Sequence, residues 1–471
     1  MQNINTIYIN GEFVVPHGQQ RFALFNPATE EETGTVQLAD EVDAERAIAA
    51  AKAAFAGWAK SSKQERIAVL QRMHAAVAAR EDDLLEAIVS EYGAPQSRAR
   101  WMAQYPAEVI AQAIESLETF EFSEQAGSAQ VIMMPVGVAG LITPWNSDAG
   151  FICNKLATAM AAGCTAVIKP SEMSAWQTQI ITEALHAAQI PAGVFNIVTG
   201  RGDVVGEVIS RHPDIAKISF TGSTAVGKHL VASGAETLKR VTLELGGKSP
   251  TILLDDVGVA QAIPLAIEAG FMNSGQACVA GTRILVPRSR QAELVDALVT
   301  AVNGVQSGDP RDLKTTVGPM VSEKQWQRVQ GYIRLGIEEG ATLLAGGEGR
   351  PTGMEKGWCV RPTLFLGNNQ MRIAREEIFG PVLVVIPYDD EAEAVAIAND
   401  TSYGLNATVL SGDRARGVAI AQQLESGRVL VNTLSHEPKA PFGGVKQSGL
   451  GREMGKWGIQ AYLEAKTLLV G

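Results

Sequence analysis

The chain has 471 residues, of which 46% are hydrophobic and 19% charged, and its formal net charge is −11. This length predicts two or three domains, and the composition is that of a globular protein with enough apolar side chains for large cores. The negative charge argues against a surface that binds nucleic acid or an anionic membrane. The amino terminus has no basic stretch followed by an apolar one, so we expect no signal peptide.

The four cysteines are scattered through the chain, at positions 153, 164, 278 and 359. They form no CxxC pair and have no companion histidines at zinc spacing, so we expect no metal site. Free thiols suit a reducing compartment, and we therefore expect a cytoplasmic protein. The longest nearly apolar run, residues 156–168, is too short to span a bilayer.

The first part of the chain combines short strands with long helices. Residues 5–25 are predicted to form short strands, and 44–58 an amphipathic helix that follows acidic residues suited to a helix amino terminus. Two more helical patterns cover 63–91 and 98–117. The segment 123–135 alternates as a hairpin does.

From Val136 onward, strand and helix patterns alternate. The alternation forms two blocks, 136–233 and 250–432, and the chain finishes with a strand-like stretch at 467–470. Such alternation predicts an α/β protein with parallel sheets that carry helices on both faces. Ligands of such sheets bind where the strands end and the helices begin.

A candidate nucleophile, Cys278, lies in the small-residue stretch 272–283, between a helical pattern and an apolar strand pattern. Ser274, Gly275 and Ala277 leave room around the sulfur for a substrate. A free cysteine can act as a nucleophile through its thiolate, and is otherwise a small buried hydrophobe. This stretch by itself leaves both interpretations open.

The stretch 220–229 is predicted to be a strand, a glycine loop and the start of a helix. Backbone N–H groups at such a helix amino terminus can hold a phosphate. Gly222 to Lys228 matches the first seven positions of the P-loop pattern, but His229 replaces the hydroxyl that would bind magnesium. A dinucleotide pyrophosphate therefore fits better than a nucleoside triphosphate, with an ordinary strand-to-helix turn as the alternative.

Two charged residues, Lys169 and Glu172, follow another predicted strand. A carboxylate in this place can accept both ribose hydroxyls of an adenosine. Ser171 and Glu172 equally suit the cap and first turn of a helix that binds nothing. The acid precedes the glycine loop by about 50 residues, whereas in an ordinary Rossmann unit it follows the loop by about 20. An ordinary Rossmann interpretation is therefore wrong in detail, because the acid and the glycine loop occur in the opposite order.

Glu244 and Asn146 are further candidates for chemistry. Glu244 ends an apolar strand pattern before two glycines, and a carboxylate in apolar surroundings has a raised pKa, which suits a general base. The alternative is a buried glutamate satisfied by backbone N–H groups. Asn146 follows strand 136–142, where an amide N–H can donate to a developing oxyanion.

Taken together, seven motifs resemble the aldehyde dehydrogenase superfamily, in its order and near its spacing, over essentially the whole chain. They are Thr143-Pro-Trp-Asn146, Lys169-Pro-Ser-Glu172, Phe220-Thr-Gly-Ser223, Glu244-Leu-Gly-Gly-Lys-Ser249, Gly275-Gln-Ala-Cys278, Glu376-Glu-Ile-Phe-Gly-Pro381 and Pro441-Phe-Gly-Gly444. The resemblance implies an α/β fold of two Rossmann-like parallel-sheet domains plus a small β oligomerisation domain.

The resemblance also implies how the chain is divided. A dinucleotide-binding domain would cover 1–115 and 137–245, a catalytic domain 246–445, and an oligomerisation domain 116–136 and 446–471. The implied partners are a small-molecule aldehyde and further copies of the chain, in a homodimer or homotetramer, with neither nucleic acid nor membrane.

Roles for single residues follow from the matching motifs. Cys278 would be the nucleophile, Glu244 the base that activates water, and Asn146, with the Cys278 backbone N–H, the oxyanion hole. The cofactor would be NAD, with NADP as a poorer alternative. The residues expected to hold it are Trp145, Lys169, Glu172, Gly202, Gly222, Ser223, Glu377 and Phe379.

The implied reaction oxidises an aldehyde to the carboxylic acid, through a thiohemiacetal and a thioester on Cys278. A CoA-acylating semialdehyde dehydrogenase and a catalytically silent homologue are the alternatives. Glu244 argues against the first, because CoA rather than water takes the acyl group in such enzymes. The joint presence of Cys278, Glu244 and Asn146 argues against the second.

The sequence departs from the family around the expected substrate tunnel. Ser147 and Asp148 follow Asn146 where many members have Phe-Pro, and Asn154 replaces an aromatic residue that is common one helical turn further on. The tunnel is expected to be lined by Ser147, Asp148, Asn154, His436 and Phe442.

Such a tunnel would be polar and would carry one negative charge. Polar groups in a desolvated pocket must be paired by the ligand, which favours a small hydroxylated or cationic aldehyde. The alternative is that Ser147 or Asp148 caps the helix that begins near Ala149, and that Asn154 faces solvent or a neighbouring strand.

Overall fold

The computed structural model describes residues 2–470 and folds them into four β-sheets with surrounding helices. The strands, in chain order, are β1 (Gln2–Ile4), β2 (Ile7–Ile9), β3 (Glu12–Val14), β4 (Arg21–Asn26), β5 (Glu31–Gln37), β6 (Ser123–Ala126), β7 (Ala129–Pro135), β8 (Val138–Ile142), β9 (Thr165–Lys169), β10 (Phe195–Ile197), β11 (Ile215–Thr221), β12 (Arg240–Glu244), β13 (Pro250–Leu253), β14 (Arg283–Pro287), β15 (Thr342–Ala345), β16 (Thr363–Leu366), β17 (Val382–Tyr388), β18 (Asn406–Leu410), β19 (Arg428–Val431), β20 (Gly449–Leu450) and β21 (Leu463–Leu468).

The α-helices follow the same order. They are α1 (Glu41–Trp58), α2 (Lys63–Ala78), α3 (Glu81–Ala87), α4 (Gln96–Thr119), α5 (Asp148–Ala162), α6 (Ala175–Ala187), α7 (Glu207–Arg211), α8 (Thr224–Gly234), α9 (Val259–Phe271), α10 (Gln291–Asn303), α11 (Glu323–Glu338), α12 (Arg372–Arg375), α13 (Glu391–Asn399), α14 (Arg414–Ala421) and α15 (Gly455–Gln460).

The first large sheet has eight strands in the order β20-β12-β11-β8-β9-β10-β2-β3. Its central strands β12, β11, β8, β9 and β10 run parallel. Strands β8 and β9 are buried throughout, because helices cover both faces and the strands are nearly continuous apolar runs. Parallel pairing brings the carboxyl ends of β12, β11, β8 and β9 together at one edge.

The second large sheet has seven strands in the order β15-β16-β17-β14-β13-β18-β19, parallel except for β15. The loop that carries Cys278 joins α9 to β14, the strand at the centre of this sheet. The fold class predicted from the alternation of strands and helices is therefore confirmed.

A smaller antiparallel sheet combines two distant parts of the chain. Strand β7 pairs with β6 on one side and with β21 on the other, so the predicted hairpin at 123–135 joins the carboxyl-terminal strand. A second three-stranded sheet, β1-β5-β4, lies near the amino terminus.

The structure corrects two helix boundaries. The pattern over 63–91 is broken, because Arg80 leaves the helical conformation between α2 and α3 and its guanidinium pairs with Asp83 and Glu183. The helix expected to begin near Ala149 begins one residue earlier, at Asp148.

Two features of the described residues bear on the environment of the protein. No helix within 2–470 is long and apolar enough to cross a membrane. The cysteines of this range are all free thiols. Cys153, Cys164 and Cys359 are fully buried, whereas Cys278 is partly accessible.

Candidate active site

A cavity of about 720 Å³ runs along the carboxyl ends of β8, β9, β11 and β12 and reaches the loop before β14. Strand register explains why distant residues meet here, since Thr221 pairs with Glu244 and Ile142 with Lys169 at the strand ends. The predicted site residues that line it are Trp145, Asn146, Glu172, Gly222, Ser223, Glu244, Cys278, Glu377 and Phe379.

The loop before Cys278 is conformationally strained. Asn273 and Ser274 both have left-handed backbone angles, with φ of 52° and 60°. This conformation is costly for a serine, by about 1–3 kcal/mol, and persists only where the surroundings hold it. Ser274 Oγ accepts a hydrogen bond of 2.8 Å from Gly318 N, and Asn273 Nδ2 donates to the Asn146 carbonyl at 3.1 Å. These contacts fix the position of the thiol.

Gly275 completes this loop for a steric reason. Its φ is +75°, and a Cβ at this position would lie 2.2 Å from the carbonyl oxygen of Gly380. The loop can therefore pack directly against the backbone of the segment that carries Glu377 and Phe379.

The surroundings of the Cys278 sulfur favour the protonated thiol. Burial, together with the carboxylates of Glu377 and Glu244, raises the pKa of Cys278 to about 12. The guanidinium of Arg428 is a nearby cation that opposes this shift. The thiolate, which is the nucleophilic form, must therefore be generated within the site.

Glu244 is buried without the partners that buried carboxylates usually have. Its side chain ends β12 and the residue is only 2% exposed, yet neither carboxylate oxygen has a hydrogen-bond partner within the described part of the chain. Burial raises the pKa of Glu244 well above its usual range. The alternative in which backbone N–H groups satisfy this glutamate is therefore wrong, and the carboxyl group can accept a proton from a molecule in the cavity.

A buried ion pair lies behind Glu244. Lys155 Nζ and Glu453 Oε1 are 2.5 Å apart, and Ser219 Oγ donates to the same glutamate oxygen at 3.0 Å. The charge of Glu453 raises the pKa of Glu244, and that of Lys155 lowers it. Sequence reasoning missed this pair, although a single lysine within the apolar pattern of α5 is a signal of a buried acidic partner.

Asn146 lies against the loop of the candidate nucleophile. Its Nδ2 donates to the carbonyl oxygen of Gln276 at 3.0 Å, two residues before Cys278. An asparagine amide has two N–H groups, so the second can serve another acceptor in the cavity. This geometry suits the predicted place of an oxyanion donor.

Two predicted cofactor residues do not lie on the cavity wall. Lys169 is buried behind it, where Nζ donates to the carbonyls of Pro170 and Gly200 at 2.7 and 2.8 Å and approaches Glu172 Oε2 at 3.5 Å. Gly202 lies in the turn before α7, apart from the cavity-lining residues. Lys169 therefore contacts the Glu172 carboxylate without itself facing the cavity.

Two helical segments begin at the cavity, and each has a predicted polar residue at its start. Ser171 caps the turn that follows β9 through a 3.3 Å bond from Met173 N, as the capping alternative requires, while Glu172 itself lines the cavity. Ser223 caps α8 by accepting from Val226 N at 3.4 Å. The amino terminus of α8 is thus exposed to the cavity and offers backbone donors for an anion.

Glu377 closes the other end of the cavity. Its Oε1 accepts from Gly247 N at 3.1 Å, and burial raises the pKa of this carboxyl to about 7. Phe379 has a left-handed φ of 63° and meets the Trp145 ring edge-on at 5.4 Å. Arg328, on α11, also lines the cavity and was not predicted, because a basic residue on a polar helix face looks like an ordinary solvated side chain.

Two residues predicted to line a substrate tunnel have structural roles instead. Asp148 is completely buried, and its carboxylate oxygens accept from Thr143 Oγ1 at 2.7 Å and Thr178 Oγ1 at 2.8 Å. Asn154 is also buried, and its Nδ2 donates to Glu453 at 3.3 Å. The expected negative charge on the tunnel wall is therefore absent, because the hydroxyl groups of Thr143 and Thr178 hold Asp148 in the core.

The remaining tunnel candidates, Ser147, His436 and Phe442, are not among the residues that line the cavity. Ser147 precedes α5 without a capping bond from its side chain, so the capping alternative fails for this residue. The ring centroids of His436 and Phe442 are 6.3 Å apart, and Tyr105 lies 6.2 Å from His436. Arg428, which was not predicted, lies over Phe442.

Comparisons with known proteins show the family of the chain. The profile of the aldehyde dehydrogenase family matches residues 13–468. A 3-succinoylsemialdehyde-pyridine dehydrogenase of a Pseudomonas species is 42% identical, over 100% of this chain and 99% of that protein.

Solved structures give the same result. A mutant of aldehyde dehydrogenase C from Pseudomonas syringae, in complex with NAD+ and octanal, is 45% identical with a TM-score of 0.97, over 99% of this chain and 96% of that one. An aldehyde dehydrogenase of Mycobacterium tuberculosis, complexed with NAD+, is 39% identical with a TM-score of 0.97, over 100% and 99% of the chains. The chain belongs to the aldehyde dehydrogenase family.

Proposed function

We propose that this protein oxidises an aldehyde to its carboxylic acid, with NAD as hydride acceptor and with covalent intermediates on Cys278. The observation that carries the proposal is that the thiol of Cys278 and the unpaired carboxyl group of Glu244 line one cavity. Membership of the family supports aldehyde oxidation. The NAD+ complexes of two structural relatives support the cofactor.

The cavity has groups that suit each part of a dinucleotide. Glu172 would accept from the adenosine ribose, and the α8 amides beside Ser223 would hold the pyrophosphate. Glu377 would accept from the second ribose, with Phe379 and Trp145 beside the nicotinamide. NAD, when bound, accepts the hydride that leaves the substrate carbon.

The first half of the reaction forms an acyl group on the enzyme. The Cys278 thiolate attacks the aldehyde carbon, and the carbonyl electron pair moves to oxygen to give a thiohemiacetal anion. Asn146 and the Cys278 backbone N–H donate to this oxygen. When the anion collapses, a hydride departs from the carbon and a thioester remains on the sulfur.

The second half releases the acid. Glu244 accepts a proton from water as the water oxygen attacks the thioester carbon, and the carbon–sulfur bond then breaks to restore the thiolate. The carboxylic acid leaves, and Glu244 returns its proton to solvent. The raised pKa of Glu244 suits this task, because a strongly acidic carboxyl group would be a poor base.

We also propose that the three predicted divisions of the chain have separate tasks. The region around the eight-stranded sheet binds the cofactor, and the region around the seven-stranded sheet carries the nucleophile. The β6-β7-β21 sheet joins subunits, because its free edges need a partner.

The nucleophile is tested by Cys278→Ala, with Cys359→Ala as the control because Cys359 is fully buried and does not line the cavity. We expect NADH formation from propanal to fall by at least about 1000-fold in Cys278→Ala, since no thiolate is left to attack. NAD binding should persist in both variants. Activity within tenfold of the wild type in Cys278→Ala would refute the assignment, and a requirement for added CoA would indicate the acylating alternative.

The role of Glu244 is tested by rapid mixing of Glu244→Gln with propanal and NAD. If Glu244 activates water only, acylation continues and the variant should release close to one NADH per site in a burst. Steady-state turnover should fall by about 100-fold or more, the usual contribution of a general base. Loss of the burst would show that Glu244 already acts before hydride transfer, for example on the Cys278 thiol.

Cofactor choice is tested by comparing kcat/KM for NAD and NADP. The Glu172 carboxylate should repel a 2′-phosphate, so we expect a preference of at least about tenfold for NAD. Glu172→Gln should weaken this preference, while Glu41→Gln, on the exposed first turn of α1, should not. A higher value with NADP in the wild type would contradict this role.

Subunit association is tested by light scattering at micromolar concentration. We expect at least twice the chain mass of 50.0 kDa, because β21 ends in a tail whose Leu469 is 68% exposed. Leu469→Glu should favour the monomer, whereas Leu313→Glu, at a loop residue that is 81% exposed, should not. A monomeric mass for the wild type would exclude the homodimer and the homotetramer.

A further inference from the structure

Arg428 lies beside the nucleophile, on the first residue of β19. Its Nε donates to Asn406 Oδ1 at 2.8 Å, and Asn406 Nδ2 donates to the carbonyl of Val279, the residue after Cys278, at 3.2 Å. The guanidinium also lies over the Phe442 ring, with 5.5 Å between its carbon and the ring centroid. One side-chain amide thus connects this cation to the catalytic loop.

The charge of Arg428 has no counter-ion. Within residues 2–470 no carboxylate lies within 4.0 Å of its guanidinium nitrogens. Two of its five N–H groups have acceptors, at Asn406 and, more weakly, at Nδ1 of His436, 3.4 Å from Nη1. Desolvation of a guanidinium charge is costly unless its N–H groups find acceptors, and three of those of Arg428 have none within the described part of the chain.

His436 provides a second donor next to this cation. A guanidinium can only donate, so Nδ1 of His436 accepts and the ring proton is on Nε2. Burial and the charge of Arg428 lower the pKa of His436 to about 4, so the ring is neutral at neutral pH. Its Nε2 is buried and has no hydrogen-bond partner in the described part of the chain.

Aromatic side chains surround these donors. The Tyr105 ring stacks on Trp101 at 4.7 Å between centroids and lies 6.2 Å from His436, which in turn lies 6.3 Å from Phe442. Phe442 adjoins Gly443, where an added Cβ would lie 2.6 Å from Glu244 Oε1. The group is therefore a neighbour of both Cys278 and Glu244.

We propose that Arg428 and His436 bind the anionic end of the substrate, and that the preferred aldehydes carry a carboxylate a few bonds from the aldehyde carbon. A carboxylate has two acceptor oxygens in a plane, which matches the parallel N–H groups of a guanidinium. This inference rests on the proposed function, because it places the aldehyde carbon at Cys278. It replaces the cationic substrate that the sequence favoured.

The charge of an aldehyde determines how well it fits this group of side chains. A cationic aldehyde would be repelled by Arg428, and a plain alkyl aldehyde would leave the buried Nε2 of His436 and the free N–H groups of Arg428 without an acceptor. A carboxylate would satisfy both donors and supply the missing counter-ion.

The test compares kcat/KM for 4-oxobutanoate and its methyl ester, which share a carbon chain and differ in the charge. We expect the wild type to prefer the acid by at least about tenfold, the scale of one charged hydrogen bond. In Arg428→Gln this preference should fall by about 10- to 100-fold, Arg428→Lys should retain part of it, and His436→Ala should lose a smaller part.

Arg98→Gln is the matched control. Its guanidinium also lacks an ion pair within the described residues and stacks on an aromatic ring, that of Trp101 at 3.9 Å, but it lines a different cavity beside α9 and α10. The preference for the acid should be unchanged in this variant. A loss of the preference for the acid in Arg98→Gln but not in Arg428→Gln would overturn the assignment.

The remaining outcomes separate the subsite from the proposed function. Equal losses with the acid and the ester in Arg428→Gln would show that this cation acts only on the Cys278 thiol, and would overturn the subsite. A wild type that oxidises the ester at least as well as the acid would overturn the subsite and leave the proposed function in place. If neither compound nor propanal gives NADH, both the subsite and the proposed function are overturned.

A measurement on the unmodified enzyme serves if the variants fail to fold. Butanedioate should inhibit competitively against propanal, and at least about tenfold more strongly than butanoate. Equal inhibition by the two acids would overturn the proposal.

Discussion

The desolvation of two titratable groups beside each other is the constraint on which the site depends. Glu244 is almost fully buried and Cys278 partly so, and burial raises the pKa of each. Glu244 has no hydrogen-bond partner for its charged form within the described residues. Proton transfer in such a site responds to the charge of the molecule that enters the cavity. A small change in local charge shifts the pKa of both groups.

The scaffold holds this arrangement through strand register and a strained loop. Parallel pairing of four neighbouring strands places Asn146, Glu172, Gly222 and Glu244 along one edge, although they are far apart in the chain. The left-handed Ser274 positions the thiol from the other large sheet. The ion pair of Lys155 and Glu453 is buried behind Glu244, and the charges of these two residues shift its pKa in opposite directions.

The two sides of Cys278 differ in charge. On the cofactor side, the carboxyl groups of Glu172 and Glu377 suit ribose hydroxyls. On the side of His436 and Phe442 lies the cation Arg428, which has no ion pair within the described residues. The polar residues after Asn146 contribute nothing to this contrast, because the hydroxyls of two threonines hold Asp148 within the core.

The sequence alone determined the fold class and most of the cavity wall. Alternating apolar patterns predict parallel strands, and ligands of such sheets bind where the strands end, which is where Asn146, Glu172, Gly222 and Glu244 lie in the sequence pattern. The nucleophile was singled out by its small neighbours and by the motif around it. These are local signals, which a single chain carries in its residue spacing.

Only the tertiary structure decided which side chains face the substrate. Asp148 and Asn154 are polar in sequence, but hydrogen bonds to distant residues turn them inward. Arg428 and Glu453 gave no signal, because a charged residue at a strand end or in a loop usually faces water. Their importance comes from burial and from the absence or presence of a partner, and both depend on packing between segments far apart in the chain.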